Sequence, residues 1–262
     1  MGRVKAAARN IIFGYIGNLT TQLLGFVLRT IFIQHLGQTL NGVNALYTGI
    51  LSVLSMAELG IGTALNYSLY KPVIHKDYEK IKSYMLLYKK AYRVIGFVVA
   101  GTGLVIVPFL PYLVKQPEGV TLRDLTLYYL IFLFNTVSSY FVAYKYSLVN
   151  AEQKNYIQTN IITVTKMITV TLQIIVILTT GNFYAYLLTA ATVELLQKIF
   201  VSRYLNNRYP CLKEKDIKPL TKEEVGEVVK KTRALVLHKV GDVARLQTDA
   251  MIISGFINVT LS

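Results

Sequence analysis

The chain has 262 residues, 53% of them hydrophobic and 16% charged, with 28 Lys and Arg against 14 Asp and Glu and a net charge of +14. Soluble domains carry about 25% charge, and here apolar runs of about 20 residues recur with the charge gathered between them, which excludes a soluble enzyme. Positive charge divided among loops, not striped along one folded face, excludes a basic nucleic-acid-binding domain, and the single Cys211 excludes a disulfide framework or a cysteine-based zinc site.

A helix needs about 20 apolar residues to cross the hydrocarbon. By that length the sequence predicts an all-α polytopic membrane bundle with spans at 11–33, 42–66, 94–114, 125–148, 157–179 and 183–203. A seventh begins near 240 and is still running at Ser262. The first span is too long for a signal-peptide core and holds Asn18, Thr20, Thr21 and Gln22, so it is expected to remain in the protein. Lys and Arg set the orientation. With the N-terminus inside, 22 of the 28 fall on the cytoplasmic side, 2 on the other and 4 within spans.

Two inner loops read as helices. In 78–92, Ile81, Tyr84, Met85, Tyr88 and Tyr92 recur at helical spacing among Lys80, Lys82, Lys89 and Lys90, the pattern of a basic amphipathic helix lying on an anionic inner leaflet. The second, 221–239, opens with Pro219 and a Thr221-x-x-Glu224 capping box and has an apolar stripe of Val225, Val228, Val229, Leu235 and Val236. Residues 206–220 between are polar and read as a linker. The expected organisation is a six-helix lobe at 1–205, a linker with its helix at 206–239, and the start of a second lobe at 240–262. A second bundle that stops after one helix predicts the front half of a longer transporter.

A charge at mid-membrane costs about 2.5–3.5 kcal/mol on insertion scales, so each is a candidate for function. Arg29 (span 1), Glu58 (span 2) and Lys166 (span 5) have no opposite charge within four residues on their own helices, so their partners must be other helices, water or substrate. Glu194 and Lys198 sit four apart in span 6, as an ion pair would. Asp242, Arg245 and Asp249 share one face of the last helix, where Arg245 and Asp249 could satisfy each other. Lys145, Lys198 and Asp242 lie where long side chains can snorkel to the interface. Gly14, Gly17, Gly25, Gly42, Gly49, Gly60, Gly62, Gly96, Gly101 and Gly103 are expected to let helices approach closely, and Pro108 and Pro111 to bend span 3.

The run Leu51-Ser-Val-Leu-Ser-Met-Ala-Glu-Leu-Gly-Ile-Gly-Thr-Ala-Leu-Asn-Tyr-Ser-Leu-Tyr-Lys-Pro72 resembles the end of the second helix in Wzx-type polysaccharide flippases of Gram-positive bacteria. Lys89-Lys-Ala-Tyr-Arg-Val-Ile-Gly96, His35-Leu-Gly37 with Leu40-Asn-Gly42, Ala151-Glu-Gln-Lys-Asn-Tyr156, Thr165-Lys166, His238-Lys-Val-Gly241 and Thr248-Asp249 follow in the same order. The resemblance implies the multidrug/oligosaccharidyl-lipid/polysaccharide exporter superfamily, with two six-helix lobes about a central cavity. It also implies the flipping of undecaprenyl-pyrophosphate-linked oligosaccharide from the inner to the outer leaflet. On that map Arg29, Lys166 and Arg245 would hold the anionic substrate, and Glu58 matches the acidic position of the second helix. Glu58, Glu194, Lys198 and Asp249 are the candidates for charge pairing or for coupling to a proton or sodium ion. No cofactor and no nucleic-acid partner is expected. The sequence departs from the pattern in lacking most of the second lobe and in carrying Asp242 and Arg245 where small or polar residues are expected. Two other functions compete. A cation or multidrug antiporter of the same superfamily predicts acidic and aromatic cavity residues. A membrane glycosyltransferase would need a large loop with paired carboxylates, and the longest outer loop, 115–124, has about ten residues.

Overall fold

A computed structural model of the chain describes residues 3–55, 58, 61–113, 119–214 and 216–237. These residues are all-α, with no strand among them. Among the described residues five helices are long and apolar enough to cross a membrane, which points to a multi-pass membrane protein. The expected seventh span, with Asp242, Arg245 and Asp249, lies outside the described residues.

Helix α1 (Arg3–Ser55) has 53 residues, about 80 Å if straight and more than twice the hydrocarbon thickness of about 30 Å. It is folded instead. At Gly37 the backbone takes φ 87°, ψ 161°, a conformation reserved almost wholly to glycine because a Cβ would clash with its own backbone. Phe32 packs on Phe183 (5.6 Å between centroids), which packs on Tyr128 (4.6 Å). Tyr47 packs on the adjacent Tyr129 at 5.4 Å and donates to the Leu125 carbonyl at 3.0 Å. A straight helix would separate residues 32 and 47 by about 22 Å; their shared neighbours show that the chain doubles back. At the far end of the first limb, the Asn10 amide donates to the Gln153 carbonyl (2.9 Å) and accepts from the Tyr156 N–H (3.1 Å).

Next in the chain is α2 (Ile61–Ile74). Helix α3 (Tyr78–Ile106) starts at an Asp77 cap whose carboxylate accepts from the Lys80 N–H. Pro108 ends it in a 3₁₀ turn, Val107–Phe109, followed by the short α4 (Leu110–Leu113). Helix α5 (Leu122–Ala151) opens with a reciprocal Thr121–Asp124 capping box. Helix α6 (Asn155–Thr180) closes on left-handed Gly181, and α7 (Phe183–Arg208) begins from Asn182, whose side chain accepts from the Ala185 N–H. A last helix covers 222–237, and the predicted capping box forms there: Glu224 accepts from the Thr221 N–H and Thr221 from the Glu224 N–H.

The core divides by depth. At the Gly37 end, Leu28, Phe32, Tyr47, Leu125, Tyr129 and Phe183 pack together. At the opposite end, hereafter the basic end, Leu65, Leu69, Tyr88, Leu148, Val201 and Leu205 do so.

Several expectations need correction. The predicted loop at 34–41 is helical apart from Gly37, so spans 1 and 2 join through one residue. Residues 78–92 are not a separate interfacial helix but the first half of α3, and Ile81, Met85, Tyr88 and Tyr92 are buried in the protein core. Their apolar stripe fits packing on α2 and α5 as well as it fits lipid, and the continuity into 93–106 decides for protein. Close approach explains only some of the glycines. A Cβ on Gly17 would lie 2.7 Å from Thr159 and Thr163, and one on Gly103 would collide with the Leu133 side chain. Gly62 and Gly96 also face neighbours, whereas Gly14, Gly25, Gly42, Gly49 and Gly101 face open space and Gly60 is outside the described residues.

Candidate functional site

The intramembrane charges fall into two groups. In the first, neutral oxygens solvate a buried cation. Lys198 on α7 donates to the Asn135 carbonyl (2.8 Å), to Asn135 Oδ1 (2.6 Å) and to Ser138 Oγ (2.9 Å) across the seam with α5. The same Asn135 amide donates through Nδ2 to Glu194 Oε2 at 2.6 Å. One side chain therefore bridges the two charges that the sequence paired directly. Lower on the seam, Lys145 donates to Ser202 Oγ (2.7 Å) and Asn206 Oδ1 (2.8 Å). Both lysines are buried, at 5% and 9% exposure. They do not snorkel, because the opposite helix supplies ligands closer than the interface does.

Asn135 and Ser138 carry no charge and were not candidates in the sequence. Their signal is present nonetheless: two polar side chains one turn apart in the middle of an apolar span, which place donors and acceptors on a single face. Gln173, buried on α6 and donating to the Tyr186 carbonyl at 3.3 Å, is a third polar lock of this kind.

The second group lacks such partners. Arg29 is exposed on the first limb of α1, and Lys166 is half-buried on α6. Neither forms an ion pair or side-chain hydrogen bond among the described residues. Lys166 lies on the heptad row of Thr159, Thr163, Val170, Gln173 and Ile177, the row whose first two members meet Gly17 of α1. Arg245, the third predicted cation, and Asp249 lie outside the described residues.

Glu58 sits half-buried between the second limb and α2. Its carboxylate and the Tyr92 hydroxyl converge over Gly62, at 3.9 and 3.0 Å from where a Cβ would stand there. Tyr140, its ring 6.4 Å from that of Tyr92, closes the cluster. Arg29 and Glu58 are at different depths. Phe32 is level with Tyr128 and Arg29 lies one turn nearer the basic end, while Glu58 is level with Tyr140, which separates the two charges by about 13 Å along α5.

At the basic end, residues outside the spans are tied to the bundle. Glu224 pairs with Lys80, Lys82 bridges Glu79 (2.5 Å) and Glu214 (2.7 Å), and the Ser83 hydroxyl donates to the Lys218 carbonyl at 2.6 Å. The Lys80 ammonium and the Thr221 N–H hold the Glu224 carboxyl below its ordinary pKa. Burial pushes the Cys211 thiol up. Among the described residues no group of His, Cys, Asp and Glu could hold a metal ion.

Compared with known proteins, the chain matches no family model, no curated protein and no solved structure.

Proposed function

We propose that this chain forms the front lobe of a transporter in the bacterial plasma membrane that moves undecaprenyl-pyrophosphate-linked oligosaccharide from the inner to the outer leaflet by alternating access. The supporting observation is the contrast between satisfied and unsatisfied cations. Lys145 and Lys198 are fully ligated within the protein, whereas Arg29 and Lys166 have no acidic partner among the described residues. A pyrophosphate supplies that partner, and charge-assisted hydrogen bonds to it are stronger in a low-dielectric site than in water. In this reading the N-terminus and the Lys-rich end are cytoplasmic, as the 22-to-2 distribution of Lys and Arg supports. Residues 206–239 then link this lobe to a second one that opens at 240. Arg245 would join the substrate site, Asp249 the charge pairs, and Glu58 would carry a coupling proton or sodium ion.

One observation favours the cation antiporter instead. Glu58 beside Tyr92 and Tyr140 is an acidic, aromatic environment of the kind a cation prefers. Binding of a lipid-pyrophosphate analogue to the full-length protein in nanodiscs separates the two. The flippase reading expects Arg29→Gln to weaken binding about tenfold, the value of one modest charge contact, and Glu58→Gln to leave binding intact while impairing transport. Unchanged affinity in Arg29→Gln, with resistance to cationic dyes that Glu58→Gln abolishes, would replace the flippase by the antiporter. Orientation is tested with single cysteines in a Cys211→Ser background. Thr39→Cys and Asn182→Cys should react with an impermeant thiol reagent from outside, and Lys76→Cys and Lys218→Cys should not. The reverse pattern would overturn the orientation.

A further inference from the structure

On the outer surface of the bundle, α6 and α7 diverge to leave a groove of about 540 Å³ lined by Asn160, Val164, Ile168, Leu172, Leu196 and Phe200 among others, with no charged side chain in it. That volume falls within the range of about 300–1,000 Å³ typical of ligand sites. From Asn160 to Leu172 the groove follows α6 for about 18 Å, over half of the roughly 30 Å hydrocarbon slab. It is therefore an open apolar groove running along the length of the two helices.

Its mouth has the opposite character. Beyond Phe200, the same face of α7 continues toward the basic end with Arg203 and Tyr204, whose ring stacks on Phe200 at 5.9 Å. Arg203 is exposed and makes no ion pair among the described residues. One turn before Asn160 on α6, the Tyr156 ring carries the Arg9 guanidinium 3.8 Å from its centroid. Asn160, half-buried at the mouth, has no hydrogen-bond partner among the described residues. A slot for hydrocarbon with a cationic, hydrogen-bonding rim at the depth where an apolar span ends matches one ligand chemistry.

We propose that this groove holds an acyl chain of an anionic phospholipid, with Arg203 facing its phosphate and Asn160 its glycerol ester. This assignment is independent of what the protein transports. The chain's own downstream segment is a poorer occupant. The helix at 222–237 touches α3, through Glu224 and Lys80, and α2, through Lys231 over Tyr67 at 5.6 Å. The chain thus leaves the described region beside α2 and α3, across α5 from the groove.

The absence of tryptophan from the sequence gives a clean optical test. Phe200→Trp places a fluorophore in the groove. Leu19→Trp, at a similar distance from the basic end on an exposed apolar face of α1, reports bulk lipid. Each variant would be reconstituted in phosphatidylcholine containing phosphatidylglycerol brominated along its chains, and in the converse mixture. The groove reporter is expected to prefer phosphatidylglycerol by about fivefold, the effect of one basic residue near an anionic headgroup, with saturation at low mole fraction. Leu19→Trp should show no preference, and adding Arg203→Gln should erase that of Phe200→Trp. Equal quenching of the two reporters by both lipids would overturn the proposal, as would a preference that survives Arg203→Gln. Quenching of Phe200→Trp below Leu19→Trp in every mixture would mean that protein covers the groove, which also overturns it.

Discussion

The α5–α7 seam and the α1–α6 flank both hold cations within apolar helices, and they treat them in opposite ways. On the seam, Lys145 and Lys198 are enclosed by serine and asparagine oxygens, and the negative charge nearest Lys198 is reached through Asn135. On the flank, Arg29 is exposed and Lys166 half-buried, with nothing comparable around either among the described residues. A buried cation ringed by neutral ligands fixes the register of two helices, because each oxygen must stand at one depth. A cation with open coordination fixes nothing in the fold and is available to a ligand. The number of charges in a span therefore says little until their coordination is known.

The largest expected effect breaks or confirms this division directly. Under the proposed function, Lys166→Ala should abolish export while membrane insertion and thermal stability stay at wild-type level. Normal export, or a protein that no longer folds, would return Lys166 to the structural class. Lys198→Met is the mirror experiment. It keeps the length of the side chain but leaves the Asn135 oxygens and Ser138 unsatisfied, at about 1–3 kcal/mol for a stranded buried group. Denaturant unfolding in detergent should register that loss, and transport per folded molecule should persist.

The glycines sharpen the comparison between close and open helix contacts. Gly17→Ala drives a Cβ against Thr159 and Thr163, whose branched side chains have few rotamers to escape into. A cost of about 1–3 kcal/mol is expected from such overpacking. Gly14→Ala, one turn away and facing open space, should stabilise by about 0.5–1 kcal/mol through helix propensity. Equal effects at the two positions would mean that α1 and α6 do not approach as described.

The smallest effect is at the basic end. The Glu224 carboxyl titrates below its ordinary value because Lys80 and the Thr221 N–H stabilise the anion. A depressed pKa means that its contribution is complete above the unfolded-state value and disappears as pH falls through the folded one. Protection of the amides in 222–237, relative to their intrinsic exchange rates, should therefore fall on acidification below the ordinary carboxylate range, and Lys80→Ala should remove part of that pH dependence. An unchanged exchange profile would show that apolar contact at Val228 alone docks this helix.

Long apolar periods are what the sequence states most clearly, and α5, α6 and α7 lie within a few residues of the spans expected from them, apart from further turns at their ends. The break at Pro108 and the Thr221–Glu224 box were equally legible, since each is enforced by local covalent or capping chemistry. Less legible was whatever depends on a neighbour. The stripe of Tyr84, Tyr88 and Tyr92 has the same spacing whether it meets lipid or protein, and Gly37 looks like any loop glycine until the helices on both sides of it are seen to persist. Among the site residues, Glu194 and Lys198 stood out through their charge and spacing, but the amide that joins them could not be found by a search for charge. Arg29 and Lys166 were visible as isolated cations from one-dimensional spacing alone, and the described residues leave that isolation in place.

The fold at Gly37 bears on how the protein is made. With one residue in place of a loop, the limbs on either side have no slack with which to enter the bilayer one after the other. Entry as a helical hairpin is the expected consequence, with the penalty of about 2.5–3.5 kcal/mol for Arg29 shared by two apolar segments. Gly37→Ala, strained by φ 87° although its side chain would meet no neighbour, would then act during biosynthesis, before any folded state exists to be destabilised.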